Sequence, residues 1–284
     1  MVRKALVAVF FIPFFLFAAK PRQQPPLSQL DQVLQKAGEY SEKLKGMALN
    51  FVCHEKIKET INEFRNSAIM ISSSSGEAFQ VLGRTMLRQS GRNSFLYDYQ
   101  LIKRGESLSE RRNLLEENGK SRDEKDVPLK TQRWSAKYLV YGAYGFFGLS
   151  WQPRFQYEIL GSERVSRKRA LIVRASPKEI TPENYCFGRL WIDEADGSVL
   201  QIEWEPASIA GFQDTVQTPA GEMKRSMIWT VTYDVVHNGI RFPGAQTITE
   251  IYVDKRKAKH TKYEAEYKFI NYKFFTVETE VIFK

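Results

Sequence analysis

Residues 188–204, GRLWIDEADGSVLQIEW, decide the fold class. Apolar and polar residues alternate along GRLWID, the chain turns at Asp196-Gly197, and the alternation resumes along SVLQIEW. Such alternation is typical of a half-buried β-strand, and an Asp-Gly pair between two alternating runs predicts a tight hairpin. The stretch therefore predicts two antiparallel strands that share one apolar face.

The same period of two continues on both sides of this hairpin. Strands separated by tight turns, with no helix between them, favour one antiparallel sheet. The exception is 206–225, a run rich in Pro and Gly that predicts a long loop. The further predicted strands are FQYEILGSERV (155–165), RALIVRAS (169–176), MIWTVTYDVV (227–236), AQTITEIYVD (245–254), KYEAEYKFINY (262–272) and FFTVETEVIF (274–283).

The N-terminal part of the chain starts differently. Apolar residues recur at helical spacing over 27–44 and predict an amphipathic helix over 28–45 that ends near Gly46. From residue 49 the period changes to two. Residues 62–92 show no clear pattern, and the aromatic stretch 134–151 predicts either a helix or a loop packed by its own rings.

The predicted fold class is α+β, with a broad curved antiparallel sheet around the N-terminal helix. One face of the sheet is apolar and aromatic, and the other is mostly polar. One helix does not cover that many twisted strands, and uncovered aromatic surface is costly. Either the region 62–154 fills the concave face, or part of that face is a cavity.

The first residues read as an export signal. Arg3 and Lys4 precede an apolar run that ends near Ala19, which is shorter than a bilayer core requires. We expect a Sec-type signal at 1–19, a proline-rich tether at 20–26, and one domain over 27–284 with 62–154 as an elaborated region. The alternative is a short uncleaved anchor in the inner membrane. The expected location is a bacterial periplasm.

Export changes how charge and cysteine are interpreted. Loss of residues 1–19 leaves 40 basic and 33 acidic residues, a net charge of +7. A basic exported protein meets anionic lipid headgroups more readily than nucleic acid. In an oxidising compartment, Cys53 and Cys186 form either a disulfide or two buried free thiols.

No catalytic motif is found. His54, His237 and His260 have no neighbouring ligand set, and Ser150 lacks the second glycine of a nucleophile elbow. The sequence holds no glycine-rich phosphate loop. We therefore expect no enzyme, no cofactor and no metal.

A dense basic cluster lies between two predicted strands. It is either a solvated hairpin tip or a site for lipid headgroups or a partner. Its members are Lys255, Arg256, Lys257, Lys259 and Lys262.

With its export signal, long amphipathic helix and antiparallel strands, the chain resembles the periplasmic lipoprotein carriers of the LolA/LolB type. The resemblance is carried by GRLWIDEADGSVLQIEW and by the closing GIRFPGAQTITEIY, and it covers 27–61 and 155–284. It implies a half-barrel whose curved sheet wraps helices around a hydrophobic cavity for acyl chains.

Two functions follow as expectations. The first is a non-catalytic envelope protein that binds a lipid or another apolar ligand, with the 206–225 loop near the mouth. The second is an interaction or sensor module of the same fold, with a filled core, that docks an envelope protein through the basic tip or the long loop. The ligand cavity of the first would be lined by Phe155, Tyr157, Leu190, Ile192, Met227, Trp229 and Tyr233.

Overall fold

The computed structural model is a broad antiparallel sheet wrapped around one long helix. It describes residues 28–47, 50–72, 78–104, 107–134, 138–180, 187–209 and 211–275. The predicted signal sequence and tether therefore lie outside the described residues. Among the helices of the described ranges, none has both the length and the hydropathy that a membrane-spanning helix needs.

Helix α1 spans Gln29–Gly46, in agreement with the predicted helix. It begins with a capping box, because the Ser28 hydroxyl accepts the Asp31 N–H and the Asp31 carboxylate accepts the Ser28 N–H. Lys43 and Lys45 lie in the last turn, where cations oppose the negative end of the helix dipole. The buried stripe of α1 includes Val33, Ala37, Tyr40 and Leu44.

The predicted strands 155–165, 169–176, 245–254 and 262–272 are found, the predicted strand 227–236 ends at Thr232, and most of the predicted strand 274–283 lies outside the described residues. The predicted hairpin GRLWIDEADGSVLQIEW is present as two paired antiparallel strands, 188–193 and 199–204. The described residues form β1 (Asn50–Ser72), β2 (Ala78–Arg104), β3 (Ser107–Glu117), β4 (Lys120–Glu124), β5 (Phe155–Val165), β6 (Lys168–Pro177), β7 (Gly188–Asp193), β8 (Val199–Trp204), β9 (Thr215–Thr218), β10 (Gly221–Thr232), β11 (Val235–His237), β12 (Ile240–Phe242), β13 (Ala245–Val253) and β14 (Lys259–Phe274).

Twelve of these strands form one open sheet. Its order is β4-β3-β2-β1-β14-β13-β10-β8-β7-β6-β5, β9 pairs with β10, and β11–β12 form a separate hairpin. The antiparallel β1–β14 pair joins the first and last strands in the middle of the sheet. The sheet does not close on itself, since β4 and β5 remain its two edges, and it has the form of a curved half-barrel.

The β7–β8 hairpin is fixed to α1 at its turn. Gly197 has a φ of +72°, and a Cβ there would lie 2.4 Å from the carbonyl carbon of Lys36. The Lys36 ammonium also donates to the carbonyl of Glu194 at 2.7 Å. Glycine at 197 therefore serves both the turn and the close approach of the helix backbone.

Three segments differ from the sequence predictions. The unpatterned stretch 62–92 is mostly strand, as β1 and β2 continue into one long hairpin arm. The run 206–225 is not a single loop, since it contains a 3₁₀ turn at Pro206–Ser208, the strand β9 and the start of β10. The aromatic stretch contains a 3₁₀ turn (Leu139–Tyr141) and the short helix α2 (Tyr144–Phe147), and a third 3₁₀ turn (Gln152–Arg154) follows it.

Candidate functional site

The seven residues predicted to line a cavity lie together in the core of the protein. Tyr157 is half-buried and the other six are buried. All seven belong to one apolar cluster with the inner stripe of α1. The structure therefore brings these side chains together on the concave face, and a ligand-binding role for them stays a prediction.

A segment of the chain itself covers this face. We call residues 127–134 and 138–152 the strap. Phe146 and Phe147 of the strap are buried, at 2% and 0% exposure. The Phe146 ring centroid lies 5.8 Å from that of Phe155 and 5.4 Å from that of Trp204, while Phe147 stacks at 5.8 Å on Tyr157. The strap thus fills space that a ligand would occupy in an open half-barrel.

Hydrogen bonds from the sheet hold the backbone of the strap. Buried tyrosine hydroxyls and carboxylates replace the partners that a regular helix or strand would give its peptide groups. The bonds are Lys130 N–H to Tyr97 Oη (3.0 Å), Gln132 N–H to Glu59 Oε2 (3.2 Å), Tyr138 N–H to Glu110 Oε1 (2.5 Å), Tyr267 Oη to the Trp134 carbonyl (3.0 Å), Tyr233 Oη to the Leu139 carbonyl (2.8 Å) and Tyr157 Oη to the Phe146 carbonyl (2.5 Å).

A buried ion pair lies under the strap. Arg112 Nε donates to Glu55 Oε2 at 2.6 Å, and the same guanidinium lies 3.4 Å from Glu110. Burial raises the pKa of Glu55, and the Arg112 charge opposes this shift. The void lined in part by Arg112, Glu110 and Tyr99 is about 10 Å³, which is the size of one water site and not of an acyl chain.

A larger space opens at one end of the sheet. Three hairpins protrude there: the β1–β2 arm, the β9–β10 hairpin and the β13–β14 hairpin. The space between them, which we call the groove, has a volume of about 800 Å³. Its lining residues are Phe64, Thr85, Met86, Leu87, Pro219, Ala220, Gly221, Glu222, Met223, Asp254, Lys255, Arg256 and His260.

The wall on the β1–β2 arm is largely apolar. Phe64 stacks on Tyr252 with ring centroids 6.0 Å apart, and its ring meets that of His260 edge-on at 6.1 Å. Met86 is 49% exposed, while Met223 on the β10 side is buried. Flexible methionine side chains adapt to differently shaped partners.

The β13–β14 turn supplies free positive charge. Lys255 and Arg256 are exposed and line the groove. The neighbouring Asp254 carboxylate accepts the N–H groups of Arg256 (2.8 Å) and Ala258 (2.9 Å) and contacts His260 at 3.2 Å. The Ala258 bond and the His260 contact lower the pKa of Asp254, so the turn itself stabilises its carboxylate.

The members of the predicted basic patch lie in different environments. Lys255 and Arg256 line the groove, and Lys257 and Lys259 are exposed beside it. Lys262 is engaged, because its ammonium donates to the carbonyl of Asn62. Burial also lowers the pKa of Lys262.

The histidines do not form a common site. His54 contacts the Asn271 amide at 3.2 Å, where both line a pocket of about 350 Å³ over β1, β2 and β14. His237 stacks on Phe274 with centroids 3.8 Å apart. Within the described ranges, no group of three or more His, Cys, Asp or Glu side chains is placed to hold a metal ion.

The predicted disulfide is not found. Cys53 is a buried free thiol, and burial raises its pKa. Cys186 lies outside the described residues.

Sequence reasoning missed the groove. Its residues come from three distant stretches: the unpatterned 62–92, the run 206–225 and the basic tip. The charge density of the tip and the Pro and Gly content of 206–225 marked two of these stretches, and the arm carried no local signal. The exposed Met86 and the half-buried Phe64 of the arm show no period that would mark them as a surface, because a groove between hairpin tips depends on the strand order.

Comparisons with known proteins give distant structural similarities. No protein-family model matches the chain, and no curated protein matches it. One similar solved structure, from Vibrio parahaemolyticus, is described as a putative outer membrane lipoprotein-sorting protein domain. It is 10% identical with a TM-score of 0.35, and the match covers 87% of this chain and 95% of that chain. A LolA superfamily protein from Nitrosomonas europaea is 12% identical with a TM-score of 0.30, and the match covers 88% of this chain and 97% of its own.

A third similar structure is a DUF1329 family protein from Desulfovibrio piger. It is 9% identical with a TM-score of 0.34, covering 88% of this chain and 97% of its own. At this distance the similarities carry no information about a ligand or partner of this chain.

Proposed function

We propose that the chain is a non-catalytic binding protein of a bacterial cell envelope that docks a partner protein in the groove. One observation carries the proposal. The two surfaces that the sequence offers for docking, the basic tip and the 206–225 run, meet in this groove, while the strap fills the concave face.

The dimensions and chemistry of the groove support binding. About 800 Å³ lies within the range of 300–1,000 Å³ typical of binding sites. An exposed apolar wall beside free cations offers both desolvation and electrostatic steering to a partner. Within the described part of the chain, no ion pair joins Lys255 or Arg256 to a carboxylate, whereas the Asp254 carboxylate is hydrogen-bonded inside the turn.

The competing function is transport of a lipid inside the half-barrel. It would require the strap to leave the concave face and to expose Phe146 and Phe147 together with the side chains beneath them. Each buried phenylalanine contributes about 1.5–3 kcal/mol to the burial free energy. Several hydrogen bonds of the strap backbone would also have to be replaced.

Affinity capture with charge variants tests the proposal. The wild-type domain, Lys255→Glu/Arg256→Glu and the matched control Lys120→Glu/Arg164→Glu serve as baits in a native envelope extract. Lys120 and Arg164 are exposed and lie outside the groove lining. We expect wild type and control to retain the same protein and the groove variant to lose it, as quantified by mass spectrometry.

Two results contradict the proposal. One is equal capture by all three baits. The other is a lipid bound in stoichiometric amount to protein purified from its native envelope, found by extraction and mass spectrometry. Fractionation of the native cells tests the envelope location separately, since a cytoplasmic pool alone excludes it.

A further inference from the structure

We propose that the groove binds an extended, acidic segment of its partner, which adds as a strand to the free edge of β1. This inference rests on the proposed function and specifies the chemistry of its partner. It follows from the backbone of the β1–β2 arm, from the apolar wall and from the charge of the groove.

The edge of β1 loses its partner at the groove. β1 pairs with β14 only as far as Ile61, which lies opposite Tyr263, and then continues to Ser72 paired with β2 alone. Among the strands that the structure describes, none pairs with the other edge of β1 beyond this point. A strand edge with unpaired N–H and C=O groups is a template for another chain.

The hydrogen bonds at the start of the arm show which peptide groups face this edge. The Ile61 carbonyl accepts the Ser90 hydroxyl from the β2 side, whereas the Asn62 carbonyl accepts the Lys262 ammonium from the β14 side. Peptide groups alternate in direction along a strand. The backbones of Phe64 and Asn66 therefore point towards the open edge, as that of Asn62 does.

The side chains of the groove suit a strand with alternating residues. Phe64 and Leu87 of the arm and Met223 of β10 would contact every second side chain of an added strand, because successive side chains point to opposite faces. The carbonyl of Asn62 is already bound to Lys262, so the free edge begins at Glu63, and the four residues from Glu63 to Asn66 span about 14 Å at the usual rise of a strand. A bound segment of five to seven residues would span it.

Charge selects an acidic segment. Lys255 and Arg256 are exposed at the groove, and Lys257 and Lys259 are exposed beside it. The groove lining holds two acidic residues: Asp254, which is hydrogen-bonded within its own turn, and Glu222, which accepts the Gln217 amide at 3.3 Å. Four cations near two carboxylates leave a net positive charge at the groove, which would disfavour a basic segment.

Labelled peptides test strand addition directly. The probes are decapeptides in which glutamate alternates with valine, isoleucine, leucine or phenylalanine, and binding to the full mature chain is followed by fluorescence anisotropy. Two N-methylated forms of the best binder carry the methyl groups either on the glutamate nitrogens or on the apolar-residue nitrogens. A strand bound by one edge should lose at least tenfold in affinity with one form and keep its affinity, within about twofold, with the other.

Two controls assign the site. Lys255→Glu/Arg256→Glu should weaken binding at least tenfold, and Lys120→Glu/Arg164→Glu less than twofold. A peptide in which lysine replaces every glutamate should not bind. Amide hydrogen exchange should slow at Phe64 and Asn66 when the acidic peptide is bound.

Other outcomes overturn strand addition. Equal loss with both N-methylated forms, or no binding of any acidic peptide, excludes it. Binding to phosphatidylglycerol vesicles that depends on Lys255 and Arg256, without peptide binding, assigns the groove to a lipid surface instead. If peptides fail while the affinity capture still depends on these two residues, the proposed function stands and only strand addition is lost.

Discussion

Substitution of Phe147 tests whether the strap is part of the core. Phe147 is fully buried, and its ring stacks on Tyr157 with centroids 5.8 Å apart and planes inclined by 22°. Replacement of a buried Phe by Ala costs about 3–5 kcal/mol, from lost transfer free energy and from the cavity left behind. We expect Phe147→Ala to lower the free energy of unfolding by about 4 kcal/mol, a large share of the 5–15 kcal/mol typical of a domain.

Urea unfolding, followed by tryptophan fluorescence and circular dichroism, measures this change, provided that the m-value stays constant. Leu149→Ala is the matched control, since Leu149 lies two residues further along the strap and is 58% exposed. It should cost less than about 1 kcal/mol. A loss below about 1 kcal/mol for Phe147→Ala as well would refute the reasoning, because a strap lying loosely over an empty cavity behaves in that way.

Three further predictions concern the fold that supports the groove. Gly197→Ala should destabilise the protein by at least about 2 kcal/mol, because alanine disfavours a positive φ and its Cβ would clash with the Lys36 backbone. Thermal unfolding measures this loss, and an unchanged Tm would be inconsistent with the close approach of the helix. Arg112→Met should lower the free energy of unfolding by about 3–5 kcal/mol, since it leaves Glu55 buried without its cation. Adding Glu55→Gln should restore part of that loss in a double-mutant cycle, whereas additive losses would contradict an interaction between the two residues. Burial alone would raise the pKa of Asp196, but the hydrogen bonds donated by the Ser198 hydroxyl and N–H outweigh burial and lower this pKa. Its carboxylate therefore stabilises the fold above the unfolded pKa near 4, and this contribution disappears as pH falls through the folded pKa. The stability difference between wild type and Asp196→Asn should shrink in acid unfolding curves below pH 4, and a difference that grows there would contradict the assignment.

Local signals were sufficient for much of the fold. Ser28 and Gly46 mark the ends of α1, and the alternating runs identify most strands from residue 155 onward. The hairpin predicted at Asp196-Gly197 is found, with a connection of five residues (194–198) in place of a two-residue turn, and the close approach of the helix also requires its glycine. These features depend on residues that are neighbours in the sequence, and they can therefore be predicted from it.

The rest depends on contacts between distant residues. The strap has no regular period, because short turns of its own backbone satisfy some of its peptide groups and tyrosine hydroxyls and carboxylates of the sheet satisfy others. The arm at 62–92 lacks a simple pattern, and its pairing contains register shifts at Ile61/Asn62 and Asn66/Ala68. Of the groove, charge density predicted the basic tip alone. The apolar wall opposite it could not be inferred without the strand order.

Photo-cross-linking from position 86 in living cells tests most directly that the groove is the docking site. Met86 is 49% exposed in the groove, so a photoreactive residue there should leave the fold intact, and position 149 on the strap serves as the control. The predicted result is a protein adduct from position 86 that is absent from position 149 and lost in Lys255→Glu/Arg256→Glu. A lipid adduct, or the same protein adduct from both positions, would contradict docking in the groove.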